Sequence, residues 1–489
     1  MGKKITDYLL YRWRYILGYG IIGATIIGLL LFAGLYTPGG LSQNEISSVV
    51  ASNSLSFKSL DSLSPASMIN LPYNLLQRIS TQLLGVTTFS IKLPSLILAA
   101  LSTLGMILLL QMWFRKNVAI LTTVLVVTTG QFLFVAQNGT PSIVYIFWSV
   151  SLLLAAMMVS RRAAYLGLWK IVLFSTAALS LYTPLSIYIL VALSSAIILH
   201  PHLRFLVRQL LRAKLKVTIA TICALIVIAP LMYAIIKDPT VGLTLLGIPH
   251  TWPNLSANFF ILLKQYFNFI APGVGIVMTP VYSLGSMVLI VLGIIRLSST
   301  NYTARSYIIS AWAILLLPVL LINPNLTVIT FVPAMLLMAM GISALLRSWY
   351  QLFPKNPYAR VAGLIPLTIL IAGMFMTGIG RYMYSYTYNP TTASNFSHDL
   401  QLLNSQLGAK NRPAITILTT STEKPFYDVI AQHNKNLVAT TEPPKNREST
   451  VILTHAAYAA GSYAPADQII TDARNEQADR FYIYKSVQK

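Results

Sequence analysis

Glu45 is the residue around which chemistry can be built. The first 389 residues contain only four carboxylates, Asp7, Glu45, Asp61 and Asp238, and Glu45 ends the stretch Pro38-Gly39-Gly40-Leu41-Ser42-Gln43-Asn44-Glu45, directly after the first long apolar segment. A carboxylate just past a membrane exit, facing a partly dry cavity, is a candidate general base. A plainer reading makes it a solvated loop acid, or a first-turn carboxylate favoured by the helix dipole. Asp61 and Asp238 are candidates for a second acid or for positioning an acceptor, with loop solvation as the simpler account of both.

The external cations are the second group. Arg78, Lys92, Lys264 and Arg381 are placed to neutralise a phosphate leaving group, a task for fixed charge rather than for proton transfer. Each also suits a simpler role, snorkelling to lipid headgroups. Asn44, Tyr73 and Tyr266 are candidates for positioning a substrate, although Tyr is common at membrane interfaces in any case. The sequence offers no clustered His and carboxylate ligands for a metal, no phosphate-cradling Gly-Lys loop and no dinucleotide fingerprint. No cofactor is expected. Cys223 is the single cysteine, which excludes an internal disulfide.

These residues must be positioned by a membrane protein. Hydrophobic residues make up 55% of the chain and charged residues 10%. Apolar runs of roughly 17–25 residues, long enough to cross a hydrocarbon core of about 30 Å, predict eleven spans at 15–36, 91–113, 117–136, 141–159, 166–182, 183–200, 217–236, 274–295, 306–323, 326–346 and 361–384. Thr183-Pro184 divides the fifth from the sixth. Lys and Arg concentrate in alternate loops, at Arg115/Lys116, Arg161/Arg162, Arg204 to Lys216, Arg296/Arg305 and Arg347/Lys355/Arg360. By the positive-inside rule those loops and the N-terminus are cytoplasmic and the C-terminal tail lies outside. The net charge of +22 is therefore a matter of topology and anionic lipid, and does not imply a nucleic-acid partner.

Three external segments stand out. Residues 37–90 form a long first loop in which Leu75, Leu76, Ile79, Leu83 and Leu84 recur at helical spacing, predicting an interfacial amphipathic helix that offers Gln77, Arg78 and Gln82 to water or headgroups. Residues 237–273 read as a partly re-entrant lid. From Asn389 the composition changes, and nine of the thirteen acids follow. Helical patterns at His398–Leu407 and Glu423–Gln432 alternate there with strand patterns at Ala414–Thr419, Leu437–Thr441, Thr450–Thr454 and Phe481–Tyr484. A small external α/β domain over 389–489, after a membrane domain over 1–388, is expected.

The first part of the chain also resembles a known group of enzymes. Leu71-Pro72-Tyr73-Asn74, Leu84-Gly85 and Phe89-Ser90-Ile91-Lys92-Leu93-Pro94-Ser95 follow the acidic stretch in the order and spacing found in the GT-C superfamily of membrane glycosyltransferases, in the branch of protein mannosyltransferases and aminoarabinose transferases. The resemblance is clearest over residues 38–160. It implies a GT-C-like α-helical polytopic protein of the cell membrane. The implied activity is inverting transfer of a sugar from a polyprenyl phosphate donor to a hydroxyl acceptor on the outer face, without a catalytic metal. The acceptor is left open between protein, lipid and glycan. Three departures are visible: the usual Asp-Glu pair is Asn44-Glu45, the signature Arg is Lys92, which loses the bidentate fork, and the turn Gln137-Asn138-Gly139-Thr140-Pro141 lacks the family's Arg and acid. A lipid-linked sugar flippase or a noncatalytic membrane scaffold remains the alternative class.

Overall fold

The computed structural model describes residues 13–36, 40–55, 64–161, 165–212, 214–269, 273–274, 278–299, 303–352, 357–389, 394–407, 415–443, 450–472 and 478–485. Asp61 lies outside them. The chain divides into two compact units: a helical unit of residues 1–33, 96–137 and 142–382, and a second unit of residues 34–95, 138–141 and 383–489.

Ten of the eleven predicted segments are occupied by a helix or a broken pair of helices, whereas the predicted span 274–295 is helical only from Leu284, after the short strands Gly273–Val274 and Met278–Thr279. Among the described residues, five helices are long and apolar enough to cross a membrane, or seven when each bent pair counts as one span. The pair Lys116–Val127 and Gly130–Gln137 bends by 63°. Ile187–Leu199 and Pro201–Leu211 bend by 103°, at a proline that occupies the first helical position and cannot continue the preceding ladder. Thr183-Pro184 separates Leu166–Ser180 from Ile187–Leu199, as the sequence predicts. Helices Leu284–Ser299 and Phe331–Leu352 approach closely because Gly293 has no Cβ to meet the Leu337 backbone, the small-residue packing usual where lipid supplies no hydrophobic drive.

The expected lid over 237–273 is largely helical. Asp238 caps Pro239–Leu246 and Asn254 caps Leu255–Phe267. The second helix exposes Phe260 and Phe267 (63% and 59%), an apolar surface suited to the membrane interface rather than to water.

The second unit opens with a short strand β1 (Leu41–Ser42) and helix α1 (Gln43–Asn53), then helix α2 (Leu71–Leu84) and the first turns, to Ser95, of helix α3 (Thr88–Trp113). Its later part contains β2 (Phe396–Ser397), α4 (Asp399–Leu407), β3 (Ile415–Leu418), α5 (Lys424–His433), β4 (Leu437–Thr440), β5 (Thr450–Thr454), α6 (His455–Ala460), β6 (Gln468–Thr471) and β7 (Asp479–Tyr484). The sheet order is β4-β3-β5-β7-β6, parallel on both sides of β3 and antiparallel from β5 onward. All four side chains of β3 are buried, as a central parallel strand covered on both faces requires.

Residues 40–55 and 64–90, assigned by sequence to the membrane domain, thus fold in the same unit as the described C-terminal residues. The reason is a shared core: Leu41, Val49, Val86 and Ile91 pack with Leu400, Ile415, Phe426 and Ile452. β1 also pairs with β2, Leu41 opposite Ser397. Composition alone does not reveal partners separated by hundreds of positions.

Candidate functional site

Glu45 stands at the third position of α1, and Ser42 caps that helix in a reciprocal capping box. The Ser42 N–H and Oγ–H donate to Glu45 Oε2 at 2.7 and 3.0 Å, and the Glu45 N–H donates to Ser42 Oγ at 3.4 Å. On the other carboxylate oxygen, Oε1 accepts the Gly139 N–H at 2.6 Å and lies 3.8 Å from Lys92 Nζ. The side chains of Glu45 and Lys92 are both 0% exposed. Lys92 Nζ also stands 5.9 Å from the centroid of the Phe396 ring.

Gln77 joins the parts that surround this pair. Its Nε2 donates to the carbonyls of Gly139 (3.0 Å) and Ile91 (3.3 Å), and its Oε1 accepts from Ser48 Oγ at 2.8 Å. One amide therefore ties α1, α2, α3 and the 138–141 turn, using both its donors and its acceptor. Gly139 is required by close approach. A Cβ there would stand 2.9 Å from Ile91 Cγ2 and 3.2 Å from Glu45 Oε1. On the same turn, Asn138 keeps a buried Oδ1 without a hydrogen-bond donor.

Tyr73 is 1% exposed and its hydroxyl pairs with Ser95 Oγ at 2.8 Å. Burial, with the Glu45 charge, pushes its phenol well above the usual range, and the Ser95 contact only partly opposes this. Tyr73 is thus a neutral hydrogen-bonding group inside the unit and not an exposed stacking platform.

The reading of α2 is corrected at Gln77, which turns inward. Tyr73, Asn74, Gln77, Ser80 and Thr81 are buried, while Leu76, Ile79, Leu83 and Leu84 are exposed. The polar face turns inward because its groups find partners there, and the apolar face is left for the bilayer interface. Gln77, expected to face water, is 0% exposed. Arg78 donates to the Leu55 carbonyl, and Asn44 is exposed on the first turn of α1.

The unit also contains a pocket of about 130 Å³ lined by Gln43, Ser397, Asp399, Glu423, Tyr427 and Arg480. Arg480 binds Asp399 in a fork, Nε to Oδ1 at 2.7 Å and Nη2 to Oδ2 at 2.6 Å. That fork raises the Arg480 pKa. Burial, together with the charges of Asp399 and Glu423, raises that of Tyr427. Sequence reasoning missed this pocket because its acids and its arginine lie in separate elements of an unremarkable polar composition.

The remaining candidates belong to the helical unit. Lys264 is exposed on Leu255–Phe267. Tyr266 pairs with Thr330 Oγ1 at 2.9 Å, a group that Tyr282 also reaches, at 3.1 Å. Arg381 is half-buried beside a small crevice lined by Thr129, Ser283, Ser286 and Thr377, and its Nε and Nη2 have no acceptor.

No protein-family profile and no curated protein matches the sequence. Solved structures do match the fold. The crystal structure of ArnT from Cupriavidus metallidurans in the apo state aligns with a TM-score of 0.54 at 11% identity, over 96% of this chain and 98% of that one. The same protein bound to undecaprenyl phosphate aligns with a TM-score of 0.53 at 10% identity, over 95% and 98%. An Archaeoglobus fulgidus oligosaccharyltransferase tethered with an acceptor peptide gives a TM-score of 0.48 at 12% identity, over 88% of this chain and 64% of that chain. The chain has the GT-C membrane fold, as the sequence motifs imply, and is a multi-pass membrane protein.

Proposed function

We propose that this protein transfers a sugar from a polyprenyl phosphate donor to a hydroxyl acceptor on the outer face of the cell membrane, with inversion and with Glu45 as general base. The observation that carries the reading is Arg381. A half-buried guanidinium with two N–H groups lacking acceptors, beside hydroxyls, is a site prepared for an anion. The ArnT structure bound to undecaprenyl phosphate supports a lipid phosphate as that anion.

In this reading a departing polyprenyl phosphate gathers negative charge that Arg381 and Lys264 stabilise by preorganised electrostatics, while a carboxylate removes the acceptor proton. Glu45 and Lys92 are closed on each other in the resting geometry. Turnover therefore requires the pair to open, with Lys92 turning from Glu45 to the donor phosphate and Oε1 releasing the Gly139 N–H as well. Arg78 assists at the phosphate, and Asn44 and Tyr266 position substrate, with Asp61 as a further positioning candidate.

The closed pair is also what favours a second reading. A carboxylate with both oxygens engaged, beside an amide at Asn44, suits a noncatalytic scaffold or a lipid-linked sugar flippase. Purified protein in nanodiscs, supplied with a panel of labelled polyprenyl phosphate sugars and cell-envelope acceptors, separates the two. Transfer above the protein-free background supports the transferase. Donor movement across the bilayer without transfer supports the flippase, and neither activity supports the scaffold.

A further inference from the structure

We infer that the helical unit holds an anionic phospholipid headgroup in a cavity ringed by Arg115, Arg296, Arg305 and Arg347. The cavity has a volume of about 1050 Å³. The four arginines come from separate elements: the start of the bent pair after Thr88–Trp113, the end of Leu284–Ser299, the start of Ala304–Ile322 and the end of Phe331–Leu352. The positive-inside rule accounts for their lying on one side. It does not call for all four to line one cavity.

Like charges gathered in this way repel unless a counter-charge completes the site. No carboxylate is among the described residues lining the cavity, and Asp238, the sole carboxylate among the described residues of the helical unit, caps its own helix through Thr240. Arg305 is held in place, its Nη1 donating to the Trp113 carbonyl at 2.7 Å and its guanidinium 4.8 Å from the centroid of the Phe114 ring. An oriented guanidinium favours a planar or tetrahedral oxyanion over a mobile counter-ion. Ile120, Leu121, Met340 and Ile371 supply apolar wall. A ring of cations over an apolar cleft between helices fits an amphiphile with a phosphate head, the arrangement by which basic pockets at helix ends bind anionic lipid.

Native mass spectrometry of protein released from phosphatidylglycerol nanodiscs tests the inference, with phosphatidylcholine nanodiscs and inorganic phosphate as controls. The expected result is one retained phosphatidylglycerol, no retained phosphatidylcholine, and at least a tenfold loss of retention in Arg115→Gln/Arg347→Gln. Arg204→Gln, on the exposed face of Pro201–Leu211, is expected to retain lipid as wild type does, and Arg115→Lys/Arg347→Lys to recover part of the lost retention. Size-exclusion and thermal unfolding identify any variant that fails to fold, and in that case the lysine pair carries the test. Undiminished retention in folded Arg115→Gln/Arg347→Gln, equal retention of phosphatidylcholine, or full displacement of the lipid by millimolar inorganic phosphate would overturn the assignment.

Discussion

Gly139 donates its backbone N–H to Glu45 Oε1 at 2.6 Å, across 94 positions of sequence. The contact makes the turn between two helices part of the carboxylate's shell. The backbone supplies a donor to the carboxylate on that side, and Lys92 supplies the compensating charge.

Glu45→Gln is expected to destabilise the protein by about 3–5 kcal/mol, because it removes the carboxylate that compensates the buried Lys92 ammonium. Adding Lys92→Met is expected to recover most of that loss, since the resulting neutral pair of similar volume has no charge to desolvate. Chemical unfolding of the two single variants and the double variant gives the coupling directly. Additive losses would show that the two side chains do not depend on each other.

Gly139→Ala is expected to cost about 1–3 kcal/mol through overpacking, since the new Cβ meets Ile91 and Glu45 within 2.9 and 3.2 Å. Ser42→Ala removes the helix cap and is expected to cost about 1 kcal/mol. Thermal scans rank the two, and a silent Gly139→Ala would mean that the turn is not seated on the carboxylate.

Arg480→Lys keeps the charge but loses the fork to Asp399. A loss of about 1–2 kcal/mol is expected from the missing charge-assisted hydrogen bond. Asp399→Asn is expected to bring a loss of similar size, and the double variant little more than either one. Urea titration of the three variants checks this.

The outward apolar face of α2 predicts contact with lipid. Tryptophan at Leu83, which is 78% exposed, is expected to be quenched by lipids brominated near the headgroup. Quenching by acrylamide in water instead would place that face away from the bilayer.

Much of the later part of the second unit was legible in the sequence. Residues 415–418 and 450–454 show as strands because central strands form continuous apolar runs, and α5 shows because its buried Phe426, Tyr427, Val429 and Ile430 recur at helical spacing. The short strand β6 escaped notice, since its side chains are mostly exposed and it lacks a strong pattern. Glu45 was legible because carboxylates are scarce. Its closure on Lys92 was not, and neither was the inward turn of Gln77, whose partners Ser48 and Gly139 lie 29 and 62 positions away. Periodicity reports that a helix has two faces, but not that the polar face of α2 finds buried partners of its own.

The most direct test of the central claim is the rate of sugar transfer from a polyprenyl phosphate donor by folded wild type and folded Glu45→Gln, each normalised to the amount of protein surviving size-exclusion in nanodiscs. The account predicts measurable transfer by wild type and a loss of roughly 10²–10⁴-fold in the variant, the usual contribution of a general base. Equal rates, or no transfer by wild type from any donor, would contradict it.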